Sequence, residues 1–262
     1  MTPADDIAPL TDLAVAAARA AGAELLDRAG RPAEGIESKS TRTDLVSAAD
    51  KAADRIISDM IREARPGDGL LTEESGEAGH GAPTRWIVDP LDGTISFLWG
   101  IPHWAVSIAV ERDGEVVTGV VFDPSKDELF VATRGAGATL NGEAIHANPA
   151  PPLDEALIAT GFHYSVEERQ RQSARMTEVV PVVRDIRRFG AAALDLSWVA
   201  AGRFDGYFER GVHDWDWAAG GLIAREAGAA IAELPAVDGR PFGVACAHPD
   251  ILDAVRALDG SA

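Results

Sequence analysis

Asp89 and Asp92 stand three residues apart in the run Trp86-Ile87-Val88-Asp89-Pro90-Leu91-Asp92-Gly93-Thr94. Two carboxylates about 4 Å apart repel by roughly 4 kcal/mol at an effective dielectric of 20, so a cation is expected between them. A metal on one side and an anion on the other is the arrangement this run suggests. Pro90 fixes its own φ and lacks an amide donor, which turns the chain so that Asp92 converges on Asp89 instead of facing away. Gly93 and Thr94 follow with backbone N–H groups that can hold an anion where a turn or helix begins. The same residues also fit an ordinary turn, since Asp-Gly is a common turn dipeptide. A phosphatase of the aspartyl-phosphate type would place nucleophile and acid two residues apart on its first strand. Here the spacing is three, a proline intervenes and about eighty residues precede the motif.

More acids occur in suitable contexts. Glu73 and Glu74 end the run Leu70-Leu71-Thr72, Asp50 falls in the first turn of an amphipathic segment, and Asp216 precedes an alanine-rich, glycine-containing stretch. Taken singly, each has a plain structural role. Asp216 reads as a helix cap and Asp50 as a first-turn acid, each worth roughly 1 kcal/mol to its helix. Glu73-Glu74 reads as a solvated pair.

The elements that must position these acids follow from periodicity. Leu10 to Ala29 reads as an amphipathic helix stopped by Gly30, and Ser47 to Ala64 as a second with Ala49, Ala53, Ile56, Ile57, Met60 and Ile61 on one stripe. Leu70 to Ser75 is a short strand running into acids, and Trp86-Ile87-Val88 an interior strand with Asp89 at its carboxyl end. Trp104 to Ile145 reads as an antiparallel meander with turns at Asp113-Gly114 and Asn141-Gly142. Proline-rich Asn148 to Pro152 marks a boundary, giving an N-terminal α+β lobe over 1–148 and a C-terminal α/β lobe over 149–262. In the second lobe strands and helices alternate: strand 156–160, helix 166–180, strand 185–189, helix 191–201, strand 205–209, helix 216–227, strands 230–233 and 242–245, helix 249–258.

Composition bounds the partners. With 24 basic against 42 acidic residues the formal charge is −18, which argues against a nucleic-acid backbone or an anionic membrane as partner. Cys246 is the single cysteine, so no intrachain disulfide forms. There is neither a basic leader before an apolar core nor an 18-residue apolar run, and a cytoplasmic location is the expectation.

The ordered set of segments resembles the inositol monophosphatase family of magnesium-dependent, lithium-sensitive phosphomonoesterases. The likeness spans Lys39, Asp44-Leu45-Val46 leading to Asp50, Glu73-Glu74-Ser75, Asp89 to Thr94, Gly190-Ala191-Ala192, Glu209, and Trp215-Asp216 followed by Ala218-Ala219-Gly220. The resemblance implies a layered αβαβα sandwich of the inositol monophosphatase and fructose-1,6-bisphosphatase type. It further implies two to three Mg²⁺ per site, with Glu73, Asp89, the Leu91 carbonyl, Asp92 and Asp216 as ligands. Thr94 and Asp50 would orient and deprotonate the attacking water, with Glu73 supporting them through the metal. Gly93, Thr94 and Lys39 would hold the phosphoryl group. Gly190, Ala191, Ala192, Glu209 and Asp216 would meet the substrate's polyol part, and the protein would be a homodimer. The implied substrate is a small polyol phosphate, above all inositol 1-phosphate, with no covalent intermediate. Histidinol phosphate, fructose 1,6-bisphosphate and nucleotide phosphates are alternatives on the same fold, and a non-catalytic, metal-responsive interaction protein is a further one.

The chain departs from the family's pattern at Thr72, where glycine is common, at Ser96, where asparagine is common, and at Asp214, an added carboxylate two residues before Asp216. The six histidines show no zinc-like spacing and read as packing or surface groups, with His163 and Trp215 candidates for the pocket rim.

Overall fold

The computed structural model describes residues 3–31, 34–39 and 45–260. Asp44, which the resemblance places on the path from Lys39 to Asp50, lies outside the described residues. The first half runs α1 (Pro3–Arg28), β1 (Glu37–Ser38), β2 (Leu45–Val46), α2 (Ala48–Ala64), β3 (Gly69–Thr72), β4 (Gly76–Ala78), β5 (Thr84–Asp92) and α3 (Thr94–Leu98). The meander follows as β6 (Ala105–Arg112), β7 (Glu115–Asp123), β8 (Glu128–Thr133), β9 (Ala138–Leu140) and β10 (Glu143–Ala144). The second half runs β11 (Leu157–Thr160), α4 (Val166–Val179), β12 (Asp185–Arg187), α5 (Ala192–Ala200), β13 (Gly206–Arg210), α6 (Asp214–Glu226), β14 (Ala230–Leu234), β15 (Gly243–Ala247) and α7 (Leu252–Ala257).

Eight strands form one sheet in the order β10-β9-β8-β7-β6-β5-β3-β4, and five form another in the order β12-β11-β13-β15-β14. Side chains alternate across both sheets as the pleat demands. On β5, Trp86 and Val88 join α1 and α2 in one apolar cluster, while Ile87 joins α5 and α6 in another. On β13, Tyr207 faces that same central cluster and Phe208 faces a third, shared with Val179 and Val255. The layers are therefore α1/α2, the large sheet, α5/α6, the small sheet, and α4 with α7: an αβαβα sandwich.

The central helices are built of small residues because they touch sheets on both sides. A Cβ on Gly119 of β7 would lie 2.6 Å from the Ala219 carbonyl of α6, so helix and strand meet almost backbone to backbone.

Several elements differ from the sequence reading. β3 stops at Thr72, so Glu73 to Ser75 form a turn and not the end of a strand. α1 begins at Pro3, ahead of Leu10, because Ile7 and Leu10 extend its buried stripe past Pro9. Strand β5 does not stop at Asp89; pairing with β6 lapses after Asp89↔Ser107 and resumes at Asp92↔Ala105. Three steps on β5 against two on β6 make a one-residue bulge, located where Pro90 has no N–H to give the ladder. α6 begins at Asp214, so Asp216 lies within its first turn, behind the cap residue His213.

Candidate active site

The bulge in β5 is what brings Asp89 and Asp92 together. A spacing of three on a regular strand sends side chains to opposite faces, and the extra residue cancels that reversal. β5 is also parallel to β3, with Thr72 beside Val88, so Glu73 emerges next to Asp89; its N–H donates to the Val88 carbonyl at 3.1 Å. From the second half, α6 delivers Asp216. Glu73, Asp89, Leu91, Asp92, Gly93, Thr94, Gly190 and Asp216 line one cleft of about 250 Å³ together with Lys39.

Three of these carboxyls are held by backbone amides. Leu91 N donates to Asp89 Oδ1 at 3.0 Å, Ala193 N in the first turn of α5 to Asp92 Oδ2 at 2.7 Å, and His213 N to Asp216 Oδ2 at 2.6 Å. Even so, all three pKa values rise well above the carboxylate range. Burial is the largest cause for each, followed by the charge of Glu73 on Asp89 and on Asp216, and by Asp216 on Asp92. Lys39 donates to Glu73 at 2.8 Å and also to Glu74. Burial lowers the Lys39 pKa, but the two glutamates outweigh it and leave a firmly charged ammonium. Glu74 is pushed up to about 7 by burial.

Among the described residues no three acidic, histidine or cysteine side chains close around one point. An all-oxygen donor set of like charges crowded into one cleft fits a hard divalent cation. Glu73, Asp89, Asp92, Asp216 and the Leu91 carbonyl are the residues that would hold it.

Thr94 opens α3, and its hydroxyl lies between two acceptors, Asp50 Oδ1 at 2.9 Å and the Leu91 carbonyl at 3.0 Å. Asp50 is fully buried behind it and accepts from Ser47 N at 2.8 Å and Ser47 Oγ at 2.6 Å, a capping box at the start of α2. Its structural and chemical readings thus coexist: one oxygen caps the helix, the other faces Thr94. Burial raises the Asp50 pKa against these hydrogen bonds. Gly93 adopts φ 87°, and a Cβ there would come within 2.8 Å of the His103 carbonyl, so the turn between the strand and α3 admits glycine alone.

The remaining expected residues are placed as follows. Glu209 sits outside the cleft lining, in an adjoining crevice beneath Gly161, whose missing side chain makes room for the carboxyl. Its charge nonetheless acts on Asp92 and Asp216. Burial raises its pKa to about 7, and Tyr207 donates to its Oε2 at 2.8 Å. Ala191 and Ala192 are buried at the start of α5 and do not line the cleft; their contribution is to seat that helix. His163 and Trp215 do line it, with Tyr164, Gly211 and His213. Tyr207 was missing from the sequence reading, although its position two residues before Glu209 on a strand puts both on one face.

The inositol monophosphatase family model matches residues 6–254. The Nus factor SuhB of Escherichia coli is 43% identical over 228 residues, covering 86% of this chain and 85% of its own. An inositol-1-monophosphatase of Mycobacterium bovis is 41% identical over 242 residues, covering 88% and 83%. Among solved structures, the extragenic suppressor protein suhB of Bartonella henselae superposes with a TM-score of 0.88 at 38% identity, over 97% of this chain and 100% of that one. Fold, ordered motifs and relatives agree: the chain belongs to the inositol monophosphatase family and is a phosphatase of that family.

Proposed function

We propose that the chain hydrolyses a small polyol phosphate, inositol 1-phosphate above all, with Mg²⁺ as its cofactor at two to three ions per site. The observation that carries this reading is the Thr94–Asp50 hydrogen bond at the edge of a cleft lined by four carboxylates. Mg²⁺ held there by Glu73, Asp89, Asp92, Asp216 and the Leu91 carbonyl would supply Lewis acidity that favours deprotonation of water and offsets charge on the phosphoryl and leaving oxygens. Everything else falls to the protein. The Thr94 hydroxyl faces Asp50 Oδ1 at 2.9 Å, so Asp50 is the basic acceptor within its reach. Its lone pairs then receive a proton of the attacking water, and Asp50 takes up the proton relayed through Thr94. The amides of Gly93 and Thr94, with Lys39, steady the phosphoryl oxygens. Water attacks phosphorus directly, and no side chain is phosphorylated.

Glu209, held by Tyr207, is the group we assign to a polyol hydroxyl. Histidinol phosphate, fructose 1,6-bisphosphate and nucleotide phosphates would share the phosphoryl site and differ in what they ask of Glu209 in its crevice beside the cleft. The E. coli relative is named a Nus factor, so the substrate is proposed from the site and not from a relative's name. Phosphate release from these four substrate classes under saturating Mg²⁺ is the test; no preference for inositol phosphate overturns the substrate assignment. Lithium inhibition at millimolar concentrations belongs to the same proposal, and insensitivity counts against it.

We further assign a homodimer to the face carrying Trp99, Ile101 and Phe189, which are 65%, 51% and 36% exposed. Phe189 lies against His103, two residues beyond Ile101, with ring centres 4.7 Å apart. Sedimentation of wild type and Trp99→Asp checks this, and an unchanged mass overturns it. A cytoplasmic location remains part of the proposal, and among the described residues no helix is long and apolar enough to cross a membrane.

A further inference from the structure

Asp54 lies one turn beyond Asp50 on α2, and only 5% of its surface is exposed. Its Oδ2 accepts the hydroxyl of Ser75. Its Oδ1 has no hydrogen-bond partner, nor does Oγ of Ser58 one turn further along the helix. Among the described residues no cation pairs with it. A buried carboxylate so poorly matched is less stabilising than an apolar side chain of similar size, which would also suit the packed face of α2. Packing therefore does not account for an aspartate here.

Its single partner shows what does. Ser75 ends the turn that begins at Thr72 and contains Glu73 and Glu74. Ser75 N donates to Thr72 Oγ1 at 2.9 Å, closing the turn on itself, while Glu73 N ties it to β5 through the Val88 carbonyl. The Ser75–Asp54 hydrogen bond ties the same turn to α2, the helix that carries Asp50. We propose that Asp54, acting through Ser75, is a positioning residue that sets Glu73 and Glu74 relative to Asp50, and so fixes the Glu73 side of the metal site. This rests on the Mg²⁺-dependent reading given above. Neither Asp54 nor Ser75 lines the cleft. Ser75 is exposed to solvent, so removing its hydroxyl opens no cavity, and melting in chelator reads the cost of leaving the buried Asp54 carboxyl without a partner.

Calorimetric titration with Mg²⁺ alone tests the proposal on wild type, Ser75→Ala, Ser75→Thr and Asp54→Leu, each also melted in chelator. Partners that orient metal ligands change affinity by about 10- to 100-fold when lost. The expected result is Mg²⁺ binding weakened about tenfold in Ser75→Ala and Asp54→Leu but within about twofold of wild type in Ser75→Thr. Asp54→Leu should melt at or above the wild-type temperature without metal. Unchanged Mg²⁺ affinity in Ser75→Ala and Asp54→Leu overturns the proposal, as does weakened binding confined to an Asp54→Leu protein that melts lower. Normal Mg²⁺ uptake by wild type without phosphate release from any substrate would overturn the functional reading and leave this one standing.

Discussion

Asp92 combines a burial that opposes its charge with an amide of α5 that favours it, and the site needs the charged form. Asp92→Asn keeps a hydrogen-bond acceptor for Ala193 N yet removes the charge that a leaving-group metal would meet. Turnover should fall by at least about 100-fold, with melting unchanged or raised in chelator; near-normal phosphate release contradicts the assignment. Glu209 gives a pH test. Its pKa rises from 4.5 unfolded to about 7 folded, so the native state holds the proton more tightly. Stability from this group is complete below pH 4.5 and lost as pH climbs through 7. Glu209→Gln should therefore raise the melting temperature at pH 8 and leave it unchanged at pH 4.5. Equal shifts at both pH values would show that the carboxyl's protonation is not responsible. Asp89 and Asp92 are legible in the sequence because their spacing and Pro90 stand at the end of an apolar strand, whereas Glu73 and Asp216 each also read as ordinary structural acids and enter the site through the family resemblance. Tyr207 and the Asp54–Ser75 link were not legible: both are contacts to an orienting neighbour, and neither residue type announces such a role by itself.

Strand ends and helix starts do the positioning, and Gly93 is the joint between them. A side chain there would be strained by φ 87° and would press on the His103 carbonyl, so Gly93→Ala should cost about 1–3 kcal/mol and displace Thr94 from Asp50. The expected signature is a lowered melting temperature together with a kcat loss larger than the change in KM. A variant that melts lower but turns over normally would place the Thr94–Asp50 bond outside the chemistry. At this scale the sequence told most where periodicity is strong, as in α2, the β6–β8 meander and the alternating second half. It told least at boundaries set by packing or pairing. Nothing local says that β5 resumes its ladder at Asp92, because the bulge needs β6 as a partner, and α1 outruns its expected start because buried Ile7 and Leu10 override Pro9.

The whole molecule shares its central core between the two sequence halves. Ile87 and Val121 of the large sheet pack in one cluster with Leu194, Leu222 and Tyr207 from beyond the proline-rich boundary. The two halves should therefore unfold in a single transition, and residues 1–148 alone should expose an apolar face and aggregate; a soluble, cooperatively melting fragment would show otherwise. Buried carboxyls of raised pKa also make the metal-free protein lose stability as pH rises through their folded pKa values. Mg²⁺ at about 100 times its dissociation constant should restore about 2.7 kcal/mol, visible as a higher melting temperature at pH 8. The close seat of α6 on Gly119 bears on motion as well as shape. With helix and strand in near backbone contact, Asp216 cannot travel independently of the sheet that carries Asp89 and Asp92. The two sides of the cleft are therefore expected to move as one body, with any opening for substrate coming from the rim; amide exchange in α6 much faster than in β5 and β7 would show otherwise.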